Sequence, residues 1–371
     1  MKKIIALLLV AGLFVSLVAC ATDDATPASP AAPDTAPDAA PDTASDPAPV
    51  VPDADGKDPS QMTFAYIIPA LDANWYIEIV DGFKMAAEEV GAEVLVLVSD
   101  YDTEREIAHI ELCVTEQVDG LAMFSFNENG AGIAAHRMQE AGIPLVVPDS
   151  VGQALTFGAD LVAALDFDWY EMGVMYADWM AANTTGDFVI ITGNFEHFPC
   201  IFVNQGMEER SEELGVNSLL DIRTAEYNPD KAAAAMEDLL AGGLEFETIF
   251  VMQEEMAAAV VRVLDARGVL NNPYRVITQN GQEMGIEMVK NGQIAMTISS
   301  SPGLSGYINF RMLLSYVAGQ IDWKNEQKMI PIAAVTYDDA QNPDPRIVIP
   351  WSRNPIFKEL TADFFPELMW Y

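Results

Sequence analysis

The sequence predicts an α/β protein whose parallel sheets are covered by helices on both faces. Short runs rich in Val, Ile and Phe alternate with longer stretches that repeat apolar residues every three or four positions. Most of the short runs are apolar without interruption, as expected of strands that are buried on both faces of a parallel sheet. About 310 residues carry this pattern, which is enough for two ordinary domains.

The predicted strands share a run of β-branched or aromatic residues between turn-forming residues. They are Thr63–Pro69, Glu93–Val98, Gly120–Phe124, Pro144–Val147, Val162–Leu165, Phe188–Thr192, Leu219–Arg223, Thr248–Met252, Arg275–Thr278 and Ile294–Ile298. The clearest helical periodicity lies in Trp75–Val90, Glu104–Gln117, Tyr170–Ala182, Asp230–Leu240 and Met256–Arg267. This strict alternation predicts successive strand–helix–strand units.

The N-terminus has the features of a lipoprotein signal. Two lysines precede an apolar run over residues 4–18, and the small residue Ala19 stands before Cys20. We therefore expect residues 1–19 to be a removed signal peptide and Cys20 to be the lipidated residue, because such signals modify the cysteine that follows the cut. Two acyl chains anchor a protein stably, which predicts an extracytoplasmic location on the outer or periplasmic face of the membrane. The alternatives are a retained membrane helix, for which the run is short, and an ordinary signal with a chance cysteine.

Residues 20–60 are predicted to form a disordered, lipid-anchored tether. From Ala21 onward this segment consists almost entirely of Ala, Pro, Asp and Thr, and it contains no aromatic residue. A segment of that composition cannot bury a core. Its prolines favour an extended chain that reaches up to ~100 Å from the membrane.

The chain is strongly acidic. It has 56 Asp and Glu residues against 19 Lys and Arg residues, which gives a formal net charge of −37. Such a surface repels phosphates, so nucleic acid is excluded as a partner. The acidity is explained by solubility or a salty habitat, and the alternative is a cationic ligand. Beyond Cys20, only Cys113 and Cys200 are present, which is too few for a disulfide framework. We expect free thiols, and neither a metal nor another cofactor.

Polar and aromatic residues follow nearly every predicted strand. These strand-end segments are 69–76, 100–102, 127–129, 149–150, 166–170, 193–198, 253–255, 279–281 and 299–301. Ligands of open parallel sheets bind beyond the carboxyl ends of the strands. Carboxylates and amides can bond hydroxyl groups, and flat rings can cover C–H faces, so the pattern favours a polyhydroxylated ligand. For any single Asp or Asn, helix capping is the simpler explanation.

Several motifs, in order over residues 61–337, resemble those of the type I periplasmic binding proteins, specifically the ribose/galactose-type sugar receptors of ABC importers. They are Trp75-Tyr76 with Asp81-Gly82-Phe83, Ala141-Gly142-Ile143-Pro144 leading to Asp149, Asp168 with Gly173, Gln253-Glu254-Glu255-Met256-Ala257, Gln279-Asn280-Gly281, and Thr297-Ile298-Ser299-Ser300-Ser301-Pro302. Each motif alone is weak, but their order and spacing make the resemblance specific.

The resemblance implies two doubly wound parallel-sheet lobes that are joined by a three-strand hinge and close on a ligand. It predicts a first lobe of residues 61–167 plus 302–330 and a second lobe of 168–301 plus 331–337. Residues 338–371 extend beyond the family core and contain several aromatic residues, so we expect this extension to pack on the lobes. The implied function is delivery of a small sugar-like ligand to an ABC permease, by a monomer that is not an enzyme.

The ligand-binding residues are predicted from both arguments. The resemblance implies that Trp75 and Tyr76 sandwich the ligand, that Asp149 accepts hydrogen bonds, and that further contacts come from Gln253, Asn280 and Ser300. The strand-end pattern adds Asp72, Asn127, Asp168, Trp169 and Phe195.

The chain departs from the family at several of these positions. Gln253 and Asn280 replace the usual Asn and Asp, Ser150 replaces an arginine, and the helix before Gly206 lacks another arginine. A hydroxyl cannot replace a guanidinium fork. With Phe195, His197 and Phe198 available to fill the vacated volume, the departures favour a deoxy sugar, a polyol, a nucleoside or a signalling furanose.

Three other functional classes were weighed. The interpretation as an enzyme lacks support because no hydrolase elbow, zinc-protease motif, phosphate loop or dinucleotide fingerprint occurs in the sequence. Only Asp166 and Asp168 could imitate the carboxylate pair of a glycosidase. A sugar-responsive repressor would begin with a basic DNA-binding segment, where this chain has a signal and an acidic tether. A receptor that presents its closed state to a chemoreceptor or sensor kinase shares every feature, and it stays open as the alternative.

Overall fold

Strands and helices alternate along the residues that the computed structural model describes, which are 57–125, 128–148, 156 and 158–370. The strands are β1 Thr63–Ile68, β2 Glu93–Val98, β3 Gly120–Met123, β4 Leu145–Pro148, β5 Ala163–Phe167, β6 Phe188–Thr192, β7 Leu219–Thr224, β8 Thr248–Val251, β9 Arg275–Thr278, β10 Thr297–Ser299, β11 Glu326–Ile330 and β12 Ala333–Val335. The helices are α1 Asn74–Glu88, α2 Thr103–Thr115, α3 Glu128–Ala141, α4 Trp169–Asn183, α5 Phe198–Leu214, α6 Pro229–Ala241, α7 Glu254–Ala266, α8 Glu283–Lys290, α9 Pro302–Val317, α10 Tyr337–Gln341 and α11 Ile356–Phe364.

The first lobe is built on a six-stranded parallel sheet in the order β11-β5-β4-β3-β1-β2. Side chains of β1 alternate between its faces. Phe64 and Tyr66 join the hydrophobic core that includes Phe83 of α1. Ala65 and Ile67 join a separate core with residues of α2 and α3. Burial on both faces explains why β1 reads as an unbroken apolar run.

The second lobe is built on a parallel sheet in the order β7-β6-β8-β9. Single parallel bridges from Ile277 to Met296 and from Asn280 to Ser299 place β10 beside β9. The short strand β12 then pairs with β10 in the antiparallel sense. The sheet therefore ends in two strands that come from the C-terminal third of the chain.

The chain passes between the two sheets at three places: after β5, between β10 and α9, and between β11 and β12. Two doubly wound parallel-sheet lobes with three connections confirm the predicted fold class. Helix α9 is buried from Pro302 to Ser315, including the polar side chains of Asn309 and Arg311. In the described part of the chain, no helix combines the length and hydropathy that crossing a membrane requires.

Helix α11 and the residues after it pack on the first lobe. Phe357 and Leu360 of α11 and the following Leu368 are buried. The guanidinium of Arg311 in α9 donates to the carbonyl oxygen of Leu368 through Nε at 3.1 Å and Nη2 at 2.7 Å. These bonds fix the end of the chain to a helix at the centre of the first lobe.

Candidate functional site

The site begins with an aromatic cluster where α1 starts in the first lobe. The half-buried ring of Trp75 lies 5.9 Å from the ring of Phe167, 6.4 Å from that of Trp169 and 5.5 Å from that of Trp351. Tyr76 contacts a different partner, Phe124 at the end of β3, at 5.4 Å. The two rings predicted to sandwich a ligand therefore pack against separate neighbours.

Two carboxylates lie beside this cluster at the first crossing. Asp166 is buried, and its Oδ1 accepts hydrogen bonds from the Trp169 indole at 2.8 Å and from the Phe167 amide at 2.7 Å. Asp168 is exposed and caps α4, since its Oδ1 accepts from the Glu171 amide at 2.9 Å. Both carboxylates thus have structural bonds, which differs from a glycosidase pair whose oxygens face a substrate.

In the second lobe, a polar chain surrounds Tyr227, which lies in the loop after β7. Its hydroxyl lies 2.5 Å from Nδ1 of His197 and 3.2 Å from Sγ of Cys200. Its ring lies over Gly193, where a Cβ atom would come within 2.3 Å of the ring. His197 keeps an exposed edge, but desolvation by the surrounding protein lowers its pKa to about 4, so the imidazole is neutral at pH 7.

Tyr227 is a candidate site residue that the sequence prediction did not include. The strand-end segments used for that prediction did not include the loop after β7, residues 225–228. The available signal was the position of an aromatic residue three places after a strand, as at Phe195. Cys200, expected to follow a loop, lies in the first turn of α5 and is buried.

Amide side chains dominate the ends of β8 and β9. The amide of Gln253 donates to Oε2 of Glu255 at 2.6 Å, and that of Gln282 donates to both carboxylate oxygens of Glu255 at 3.0 and 3.1 Å. The side-chain oxygens of Gln253 and Gln279 are buried and have no hydrogen-bond partner among the residues that the structure describes. Native proteins rarely leave a buried acceptor unpaired, so these two oxygens mark places where a ligand group or a water fits.

Glu254 is hydrogen-bonded to the loops of this region from the interior of the second lobe. Its side chain is fully buried. Its Oε1 accepts from the backbone amide of Gly281 at 2.7 Å, from Thr297 Oγ1 at 3.0 Å and from the backbone amide of Gln282 at 3.3 Å. Burial, reinforced by the negative charge of Glu255, raises the pKa of Glu254 to about 8. Glu254 therefore holds a proton at neutral pH and ties α7 to the loops beyond β9 and β10.

Asn280 is bonded to Trp351 of the aromatic cluster. Its backbone has φ +103°, in the region that side chains rarely adopt. Its carbonyl oxygen accepts from the Ser300 amide at 3.0 Å and from Nε1 of Trp351 at 2.8 Å. Ser300 is fully buried, so it bonds Asn280 from the protein interior.

The remaining predicted residues lie as follows. Asp72 is exposed before α1, Phe195 is 54% exposed after β6, and Trp169 is 6% exposed. Asn127, Asp149 and Cys20 lie outside the described residues. Within the described ranges, no group of three or more His, Cys, Asp and Glu side chains could hold a metal ion.

Comparisons with known proteins agree with the fold. Residues 64–321 match the family model described as periplasmic binding protein domain. The ribose import binding protein RbsB of Haemophilus influenzae is 25% identical over 255 residues, which cover 67% of this chain and 82% of that protein.

Two solved structures of ABC transporter solute binding proteins are similar to the fold. One, from Actinobacillus succinogenes 130z with bound D-allose, gives a TM-score of 0.69 at 18% identity and covers 76% of this chain and 100% of that one. The other, from Bacillus halodurans C-125 with bound myo-inositol, gives a TM-score of 0.68 at 21% identity and covers 78% and 100%. At these identities the likeness shows the fold.

Proposed function

We propose, from the premise that the chain belongs to the periplasmic binding protein domain family, that it is an extracytoplasmic solute receptor. It binds a small polyhydroxylated molecule between its two lobes and delivers that molecule to an ABC import permease as a monomer. The lipid at Cys20 and the tether 20–60 hold the receptor at the membrane. The lobes comprise 61–167 with 302–330 and 168–301 with 331–337, a division that the strand membership of the two sheets supports.

The observation that carries this proposal is the pair of buried, unpartnered oxygens on Gln253 and Gln279. They follow the neighbouring strands β8 and β9, at the edge where open parallel sheets bind ligands. Leaving a buried acceptor unpaired costs ~1–3 kcal/mol. Hydroxyl groups of a ligand would recover that energy by donating to these oxygens, and ligand binding is thereby favoured over a merely structural role.

Aromatic rings complete the proposed site. Trp75 from the first lobe and Tyr227 and Phe195 from the second offer flat surfaces for the C–H faces of a sugar or polyol. Asp72, Tyr76, Asn127, Asp149, Asp168, Trp169, Asn280 and Ser300 stay in the proposed site as predicted. Tyr227 is added to them.

Binding shifts a pre-existing equilibrium between open and closed lobes. A ligand that bonds to both lobes stabilises the closed form, and a permease recognises that form. Micromolar affinity corresponds to about −8 kcal/mol. Two recovered hydrogen bonds of ~1–3 kcal/mol each and stacking on the rings supply part of this. Further hydrogen bonds to the ligand must offset the ordering cost.

A thermal-shift and calorimetry screen tests the proposal with D-ribose, D-allose, myo-inositol and uridine. A ligand at 100 times its dissociation constant stabilises the folded state by about 2.7 kcal/mol, which raises the melting temperature measurably. If none of a wider panel of sugars, polyols and nucleosides shifts the midpoint, the proposal is wrong. A chain that binds a sugar but associates only with a sensor protein in the membrane would identify the alternative, a sensory receptor.

The variant Gln279→Leu separates binding from folding. It removes the unpartnered oxygen, so the free protein should be at least as stable as the wild type, while affinity for the bound sugar falls by about tenfold or more. Gln320→Leu, on an exposed residue after α9, is the matched control and should leave affinity unchanged. Equal affinities for all three proteins would remove Gln279 from the site.

A further inference from the structure

Residues Ile349–Arg353, which we name the C-terminal strap, run from the second lobe to the first. At the start of the strap, the Ile349 amide donates to Oγ of Ser299 in β10 at 3.1 Å. The carbonyl oxygen of Pro350 then accepts from Oγ of Ser301 at 2.5 Å, where the chain crosses between the lobes. The strap is thus bonded to the second lobe and to one of the three crossings.

The end of the strap is bonded to α1 of the first lobe. The hydroxyl of Ser352 donates to Oε1 of Glu78 at 2.9 Å. The guanidinium of Arg353 makes a two-pronged ion pair with the carboxylate of Glu88. These exposed contacts add little energy individually, but they fix the direction in which the strap leaves the crossing.

Trp351, in the middle of the strap, contacts both lobes with one side chain. It is 9% exposed, and its ring meets that of Trp75 at 5.5 Å with an interplanar angle of 79°. Its indole Nε1 donates to the carbonyl oxygen of Asn280 at 2.8 Å. Its own backbone oxygen lies against Gly303, where a Cβ atom would come within 2.1 Å, so the strap lies close against α9.

The bond to Asn280 acts on a backbone that needs support. A non-glycine residue at φ +103° is strained, and surrounding bonds must hold it in place. The Asn280 carbonyl accepts from Trp351, from the Ser300 amide and, at 3.5 Å, from the Ser300 hydroxyl. The other end of the same peptide group, the Gly281 amide, donates to Oε1 of Glu254 at 2.7 Å. Removing the indole donor takes away the only bond that joins this peptide group to the C-terminal strap among the described residues.

We propose that Trp351 is a positioning residue of the ligand site. When the lobes are closed, it orients the ring of Trp75 in the first lobe and the backbone of Asn280 in the second, so that both meet the ligand in one geometry. Ligand affinity then depends on a segment that lies beyond the matched family region, which ends at residue 321. The inference rests on the proposed function, because it gives Trp75 and Asn280 ligand contacts.

A matched pair of tryptophan variants provides the first test. Trp351→Phe keeps a ring beside Trp75 but removes the donor to Asn280, whereas Trp370→Phe removes a similar bond, from its Nε1 to Oγ of Ser315 at 2.9 Å. D-ribose, D-allose and myo-inositol are titrated into each protein. Trp351→Phe should weaken the sugar that the wild type binds by about five- to tenfold, and Trp370→Phe should change its affinity by less than about twofold. Equal affinities for the three proteins would overturn the proposal.

Hydrogen exchange of the unliganded proteins gives a second readout that needs no ligand. The Ser300 amide, which shares the Asn280 carbonyl with Trp351, should exchange about fivefold faster or more in Trp351→Phe and at the wild-type rate in Trp370→Phe. Unchanged exchange in Trp351→Phe would overturn the positioning role even if the fold is intact. If no sugar binds the wild type while Ser300 exchange accelerates as expected, the proposed function fails and the positioning of Asn280 by Trp351 stands.

Discussion

Replacing Glu254 with glutamine should flatten the dependence of stability on pH between about 4.5 and 8. The side chain is buried, three donors share its Oε1, and its Oε2 has no partner in the described structure. Burial and the neighbouring Glu255 raise its pKa from 4.5 to about 8. A glutamine oxygen can accept from the same three donors, and it carries no proton that titrates.

The sign follows from which state holds the proton. Below pH 4.5 the Glu254 carboxyl is protonated in both states, and its contribution to stability is complete. Between pH 4.5 and 8 the folded state keeps the proton and the unfolded state loses it, so the free energy of unfolding decreases as pH rises. The loss reaches up to ~1.4 kcal/mol per pH unit and amounts to ~5 kcal/mol over the window.

Urea unfolding at pH 5, 6, 7 and 8 measures this loss in the wild type, in Glu254→Gln and in Glu208→Gln. Glu208 is exposed on α5, so its variant should follow the wild-type pH profile. The difference between the wild type and Glu254→Gln should widen steadily with pH in favour of the glutamine. Parallel profiles would refute the reasoning, since they would mean that Glu254 is ionised in the folded protein at neutral pH.

Two further substitutions address the second-lobe ring and the packing of the first lobe. Tyr227→Phe removes the hydroxyl that meets His197 and Cys200 but keeps the ring. Urea unfolding should show a loss of ~1 kcal/mol in the free energy of unfolding, while calorimetry shows sugar affinity within about threefold of the wild type. A tenfold loss of affinity would indicate that the hydroxyl itself contacts the ligand. Gly82→Ala places a Cβ atom 1.9 Å from the Gly303 carbonyl oxygen, so α1 and α9 must separate at a cost of ~1–3 kcal/mol. An unchanged unfolding midpoint would show that these helices do not meet at Gly82.

The strands that the sequence predicts best are those buried on both faces. All ten predicted strands occur, and β1 shows why, since every residue from Phe64 to Ile68 is buried. The tenth was predicted to start at Ile294, but β10 starts at Thr297. Ile294 and Met296 are buried apolar residues just before the strand, so the sequence pattern does not separate them from it. The strand β11 was missed because it lies at the edge of its sheet and alternates exposed with partly buried residues.

The candidate site was less accessible to sequence reasoning. Strand-end position is a local property, so the segments that contain Trp75, Gln253 and Asn280 could be found from the pattern alone. The contact of Trp351 with Trp75 joins residues far apart in sequence, and no periodicity or local motif predicts such a contact. This contact depends on how the C-terminal extension packs on the core.

The structure also separates capping from binding at the strand ends, which the sequence left open. Asp102 and Asp168 accept hydrogen bonds from amides of the helices that follow them, so both residues cap helices. Gln253 stands at the N-cap of α7 without a capping bond, and its free oxygen needs another explanation. The amide side chains of the second lobe are therefore the strongest candidates for ligand contacts.

This assignment bears on the meaning of the net charge of −37. A cationic ligand would require unpaired carboxylates in the site, but Glu255 is bonded by two glutamine amides and Asp166 by an indole. Glu254 retains its proton at neutral pH because its pKa is raised to about 8. The side-chain oxygens of Gln253 and Gln279 and the aromatic rings of the site are neutral, which suits an uncharged, hydroxyl-rich molecule. The acidity is then best explained as a property of the outer surface, where it favours solubility.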